Sequence, residues 1–122
     1  MTHYLICLGS NTEPVRNIAL AHEELKRLFP DVCFSTQLTT EPIGMKHSKD
    51  PFLNQLARFS AEASPAEVRQ QLKMIERKAG RRAEEKGLEV VRLDLDLLMA
   101  DDEPLRSDDL QRSFVQQLLA EF

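Results

Sequence analysis

Apolar positions along the chain fall into distinct rhythms, and each rhythm predicts an element. His3 to Leu8 is nearly continuous in apolar side chains, which predicts a first strand lying inside a sheet, ended by Gly9-Ser10-Asn11. Pro14 stands where a helix can begin without losing a hydrogen bond, and Ile18, Ala21, Leu25 and Leu28 or Phe29 recur at helical spacing up to Pro30. Val32, Phe34, Thr36 and Leu38 then alternate with Cys33, Ser35 and Gln37, a period of two that predicts a second strand. Residues Thr40 to Pro51 combine two prolines, Gly44 and the charged run Lys46, His47, Lys49 and Asp50, as an exposed loop would. A third strand, about Phe52 to Ala61, is predicted to return across the sheet.

Ser64-Pro65-Ala66-Glu67 has the form of a capping box with proline at the first helical position, so hydroxyl and carboxylate can satisfy free amides at a helix start. Val68, Leu72, Ile75 and Ala79 line one face of this second helix, and Gly80 suits its end. A polar stretch, Arg81 to Glu89, leads to a fourth strand from Val90 to Met99; Asp101 to Asp109 reads as an acidic loop and Leu110 to Phe122 as a terminal helix. The predicted order is strand, helix, strand, strand, helix, strand. This is an α+β arrangement, the split βαβ pattern (βαββαβ) of a ferredoxin-like sandwich with an additional C-terminal helix. Many unrelated activities use that arrangement, so chemistry has to be argued from side chains.

Composition narrows the class. With 122 residues, 42% apolar and 30% charged, the chain suits one domain over 1–122 with a core able to fold alone. No basic stretch followed by a long apolar run opens it, and nowhere do about eighteen apolar residues stand together, so a cytoplasmic protein is expected, without export signal or membrane span. Cys7 and Cys33 fall in segments read as buried strands and are expected to be reduced core thiols. A formal charge of -4 and a pI of about 5.4 argue against a nucleic-acid partner, because affinity for a polyanion rests on basic side chains. Yet from Arg69 to Arg92 eight basic residues face four acidic ones, a local excess suited to a small polyphosphate.

In Val90-Val91-Arg92-Leu93-Asp94-Leu95-Asp96-Leu97-Leu98, strand alternation puts Val91, Leu93, Leu95 and Leu97 on one face and Arg92, Asp94 and Asp96 on the other. The two aspartate Cα atoms would lie roughly 6.5 to 7 Å apart. Carboxylates at that spacing repel one another but can converge on one or two divalent ions; magnesium accepts one or two carboxylates and fills its other positions with water and substrate phosphate. An amphipathic strand with its polar face in water is the plain alternative. No GxxxxGK[ST] loop occurs, so a nucleotide would rely on basic side chains, with Lys73 and Arg77 at i, i+4 on the second helix and Arg81, Arg82, Lys86 and Arg92 near the acidic strand.

Taken in order, Gly9-Ser10-Asn11, Thr40-Glu41-Pro42-Ile43-Gly44, Phe52-Leu53-Asn54, Ile75-Glu76, Gly80-Arg81 and Leu93-Asp94-Leu95-Asp96 resemble the hydroxymethyl-dihydropterin pyrophosphokinase family over roughly residues 4 to 99. The resemblance implies a ferredoxin-like fold and a cytoplasmic enzyme of folate biosynthesis that transfers diphosphate from ATP with two Mg2+ ions. Its partners would be these two small molecules, with the chain a monomer or weak dimer. The resemblance also implies that Asp94 and Asp96 hold metal and, with Arg81 and Arg92, serve catalysis. By the same resemblance Thr40, Ile43, Phe52, Asn54 and Phe114 surround the pterin, while Lys73, Glu76, Arg81, Arg82 and Arg112 bind ATP. The 40–51 loop and the 81–89 segment are expected to close over substrates.

This chain departs from the family pattern at several places. Ala83 stands at the second arginine of Gly-Arg-x-Arg, with Arg82 one place early. Glu89-Val90-Val91 replaces Gly-Pro-Arg, which displaces Arg92 by one residue, and Leu88 replaces an aromatic. The Pro-His segment before the arginine loop and the Pro-Leu pair after Phe114 are missing. Two other readings therefore stay open: a degenerate pterin-binding module without efficient ATP use, and a ferredoxin-like interaction module without catalysis.

Overall fold

The computed structural model of the protein describes residues 1–41, 50–81 and 89–122. Strand β1 (Thr2–Ser10) leads to helix α1 (Pro14–Leu28), two short strands β2 (Cys33–Phe34) and β3 (Leu38–Thr40), the long strand β4 (Phe52–Ala61) and helix α2 (Pro65–Lys78). Strand β5 (Asp94–Ala100), a short β6 (Glu103–Pro104) and helices α3 (Ser107–Leu110) and α4 (Ser113–Leu119) complete it. The fold is mixed, with helices packed on an antiparallel sheet in which β1 lies between β4 and β5. β2 and β3 both pair with the far side of β4, and β6 pairs with the end of β5. No helix among the described residues is long and apolar enough to cross a membrane.

Strand alternation sorts the core into two layers. Tyr4, Ile6 and Leu8 of β1, Ala57 and Phe59 of β4, and Leu95 and Leu97 of β5 pack with Leu93 against Ile18, Leu25, Val68 and Leu72 of α1 and α2. On the opposite face Leu5, Leu56 and Leu98 pack against Leu110, Val115 and Leu118 of the C-terminal helices. Between Leu5 and Ile6 the β1–β5 register slips, Leu5 pairing with Met99 and Ile6 with Leu97. That bulge turns both Leu98 and Met99 toward the C-terminal layer and returns Ala100 to the first. The capping box forms as the sequence predicts: Ser64 Oγ accepts from Glu67 N, and Glu67 Oε1 accepts from Ser64 N at 3.1 Å. Gly80 follows the helix with φ +92, a left-handed conformation that favours glycine.

Five expectations need correction. The second strand does not run unbroken from Val32 to Leu38: Leu56 N donates to the Ser35 hydroxyl at 2.9 Å, and that side chain interrupts the ladder between β2 and β3. The break shifts the alternation, so Phe34 packs on the α1–α2 side whereas Leu38 packs on the α4 side. Cys33 is exposed at this edge rather than in the core, whereas Cys7 is half-buried as a residue and packs against the C-terminal layer.

The fourth strand begins at Asp94, not Val90, because residues 89–91 are tied to the first turn. Asn11 Nδ2 donates to Glu89 O (2.9 Å), Val91 N donates to Asn11 Oδ1 (2.7 Å), and Asn11 N donates to Val91 O (2.9 Å). The acidic loop 101–109 instead forms a hairpin and a helical turn: Asp101, at φ 51, ties back to His3, and Leu105 N donates to Leu98 O (2.8 Å). The terminal helix is shorter than Leu110 to Phe122, since Gln111 and Arg112 separate α3 from α4.

Candidate active site

The edge of β5 decides where the acidic pair points. With Leu93, Leu95 and Leu97 drawn into the core, Asp94 and Asp96 must leave by the opposite face, beside Cys7, which is paired with Asp96 across the ladder. β6 covers only Met99 and Ala100, which leaves the outer edge of Asp94 to Leu97 without a neighbouring strand among the described residues. Glu76 of α2 reaches that edge, and its Oε2 accepts from Leu95 N at 2.7 Å.

A cavity of about 480 Å³ opens on the aspartate face. Its walls bring together Thr40, Phe52, Asn54 and Phe114 from three separate elements, together with Arg81, Asp94, Asp96 and Arg112. Asn54 is buried, and its Nδ2 donates to Thr40 Oγ1 at 2.7 Å, which fixes the amide between β4 and β3. Gly9 lies opposite, where an added Cβ would stand 3.6 Å from Asn54 Oδ1. A second cavity, about 410 Å³, runs along the open β5 edge and holds Lys73 and Glu76 together with Arg69 and Arg106. Arg81, Asp94 and Asp96 line both, so the aspartates form a shared wall between an aromatic hollow and a basic one.

Each carboxylate carries an arginine. Arg81 Nη1 lies 2.7 Å from Asp94 Oδ1, 3.1 Å from Glu76 Oε2 and 3.1 Å from Leu93 O. Burial opposes the Arg81 charge, but the bond to Asp94 and the nearby carboxylates more than offset it, so its pKa is raised. Arg106 Nη1 lies 3.3 Å from Asp96 Oδ1. Burial pushes the Asp96 carboxyl up to about 7, and the Asp94 charge pushes the same way. Glu76 is also raised, chiefly by burial. Among the described residues, Asp94 and Asp96 place two crowded oxygen donors on one face with cavity space on two sides, a donor set that suits a hard divalent cation.

Three sequence-predicted positions lie elsewhere or outside the described residues. Arg92 does not share the aspartate face, because strand alternation has not begun at that point. Its guanidinium is 3.9 Å from Glu13, and its Cδ stands 3.4 Å from the place a Gly80 Cβ would occupy, while Val91 lines the aromatic cavity in its stead. Ile43 and Arg82 lie outside the described residues, as do most of the 40–51 loop and of the 81–89 segment.

Sequence reasoning missed Arg106 and Asp109. Asp109 bonds Arg106 through one oxygen and Arg112 Nε through the other, at 3.3 Å for the latter. The i, i+3 spacings of Arg106-Asp109 and Asp109-Arg112 were the available signal, once 107–110 is recognised as helical rather than loop.

A model of the family described as 7,8-dihydro-6-hydroxymethylpterin-pyrophosphokinase (HPPK) matches residues 5–122. No curated protein matches the chain. Among solved structures, the C-terminal domain of the MgtC protein from Mycobacterium tuberculosis is similar at 8% identity and a TM-score of 0.45, over 87% of this chain and 95% of that one.

Proposed function

The chain belongs to the 7,8-dihydro-6-hydroxymethylpterin-pyrophosphokinase family, and from that premise we propose that it transfers diphosphate from ATP to 6-hydroxymethyl-7,8-dihydropterin, releasing AMP, as a single ferredoxin-like unit. The observation that carries this reading is the shared wall: Asp94 and Asp96 stand between a hollow lined by Phe52, Asn54 and Phe114 and one lined by Arg69, Lys73 and Arg106. A flat, hydrogen-bonding heterocycle suits the first and a polyphosphate the second. The strand order, with β5 and β4 flanking β1 and β2–β3 outside β4, supports the ferredoxin-like reading.

In this mechanism the hydroxymethyl oxygen attacks the β-phosphorus of ATP. The bond from that phosphorus to the α-β bridging oxygen breaks, the bridging oxygen leaves on AMP, and the hydroxyl proton passes to solvent. Thr40 and Asn54 hold the pterin, and the two phenylalanines offer apolar surface to its ring. Arg81 and Arg112, which reach the aromatic cavity, and Lys73, on the basic side, bear on the phosphates. Mg2+, held by Asp94 and Asp96, would supply neutralising charge to the ATP oxygens. Catalysis then comes from positioning and charge, and no covalent enzyme intermediate is needed.

The test is direct: mix the protein with ATP, Mg2+ and the hydroxymethyl-dihydropterin and follow AMP. AMP should form, and Asp94→Ala or Asp96→Ala should abolish it while far-UV circular dichroism is unchanged. Normal turnover by either variant removes the metal assignment, and pterin binding with no AMP from the unaltered protein would leave a binding module.

A further inference from the structure

Arg106 is a residue that the proposed mechanism does not require, and its placement is unusual. It sits where the β5–β6 hairpin meets α3, anchored by a 2.8 Å bond from the neighbouring Leu105 N to Leu98 O. From there one guanidinium reaches two carboxylates: Nη1 lies 3.3 Å from Asp96 Oδ1 and Nε bonds Asp109. Asp96 is mostly buried, its side chain 24% exposed, and shares its strand face with Asp94, whose own cation is Arg81. Two carboxylates on one strand face repel one another, and Arg81 and Arg106 each place a positive charge beside one of them.

We propose that Arg106 is the resident counter-ion of Asp96, a positioning residue that competes with a divalent cation for the same carboxylate. The inference rests on the reading above, that Asp94 and Asp96 hold such a cation. An arginine stays charged at any working pH, so it cannot give way by losing a proton and has to move. Asp109 makes that movement short. When the bond to Asp96 breaks, the second carboxylate still tethers the guanidinium at the mouth of the basic cavity, which Arg106 already lines. A phosphate chain arriving with the cation would meet it there. The site therefore discriminates against a cation arriving alone and favours one arriving with a polyanion, because only the polyanion gives the displaced guanidinium a new partner.

The experiment is a titration of Mn2+ against the full chain without nucleotide, with free Mn2+ read by electron paramagnetic resonance. The guanidinium is half exposed, its side chain 51% accessible, so the pair is screened. Removing it should tighten Mn2+ binding about two- to fivefold. Arg106→Gln and Arg106→Met should both show this, so the test survives the failure of one variant to fold. In an Asp96→Asn background Arg106→Gln should change Mn2+ affinity by less than about 1.5-fold, because the contested carboxylate is gone. Arg112→Gln removes the same charge from Asp109's other side and should tighten Mn2+ less than Arg106→Gln. Unchanged or weaker Mn2+ binding in both Arg106 variants overturns the proposal, and so does equal tightening in Arg112→Gln, or no Mn2+ bound by any of these proteins. Absence of AMP release from the unaltered protein would refute the functional reading, whereas an unmoved Mn2+ affinity with AMP release intact refutes only the role of Arg106.

Discussion

Replacing Asn11 by alanine tests how the acidic strand is put in phase. Asn11 is 6% exposed, and its side chain closes two bonds across about eighty residues of sequence, to Glu89 O and from Val91 N, at 2.9 and 2.7 Å. Alanine keeps the backbone bond to Val91 O but removes one hydrogen bond to the Glu89 carbonyl and one from the Val91 amide. A typical intramolecular hydrogen bond contributes about 0.5 to 1.5 kcal/mol net. Taking the middle of that range for each gives about 2 kcal/mol for the pair. At an unfolding entropy of about 2.1 cal/mol/K per residue, a chain of 122 residues has about 0.26 kcal/mol/K, and Tm should fall by about 8 °C.

Urea unfolding gives the free energy, and amide hydrogen exchange at Val91 localises it: exchange should accelerate there by more than global destabilisation explains. Asn11→Asp, which keeps an oxygen acceptor for Val91 N, should retain part of the loss. A change under about 0.5 kcal/mol in Asn11→Ala, or undisturbed protection at Val91, would refute the claim that this side chain holds the 89–91 segment in place.

Ser64→Ala should cost about 1 kcal/mol in urea unfolding, since it removes the acceptor that Glu67 N uses. Hydrogen bonds from Ser64 hold the Glu67 carboxyl below its usual value, so the stability it contributes is present above the unfolded pKa and is lost as pH falls through the lowered one. Glu67→Gln should remove that component, and a pH profile below about pH 5 identical to the parent's would contradict it. The two thiols should separate in a reaction with a disulfide reagent at pH 8. Cys33 is exposed and reacts first, while burial, aided by Asp96 and Asp94, pushes the Cys7 thiol up and makes it slow. Equal rates, measured by mass mapping, would put Cys7 in a different environment from the one described.

How far the chain could be read in advance follows from the range of the forces involved. α1, α2 and β4 were legible to within a residue or two, because proline starts, a capping box and unbroken periodicity are local signals. The second strand was not, since its break depends on Leu56 N finding the Ser35 hydroxyl twenty-one residues away. Likewise α3 was hidden, because Asp108 and Asp109 look like loop residues until Leu110 is seen buried beneath α4.

Arg92 shows most clearly what periodicity leaves open at a site. Alternation says that residues two apart share a face only while both are in the strand, and sequence alone does not say where the strand begins. Here the boundary is set by Asn11, a residue about eighty positions earlier, which captures 89–91 and delays pairing until Asp94. Had pairing begun at Val90, alternation would have carried Arg92 onto the aspartate face and kept Val91 out of the aromatic hollow. With the observed boundary, Arg92 turns toward Glu13 and Gly80, and the cation beside Asp94 comes from Arg81, just beyond the end of α2. The acidic pair itself was safe from this ambiguity, because Leu95 and Leu97 have to be buried whichever residue opens the strand. An apolar demand on the neighbours fixes the face of the acidic pair, while a polar bond across the chain decides which arginine attends it.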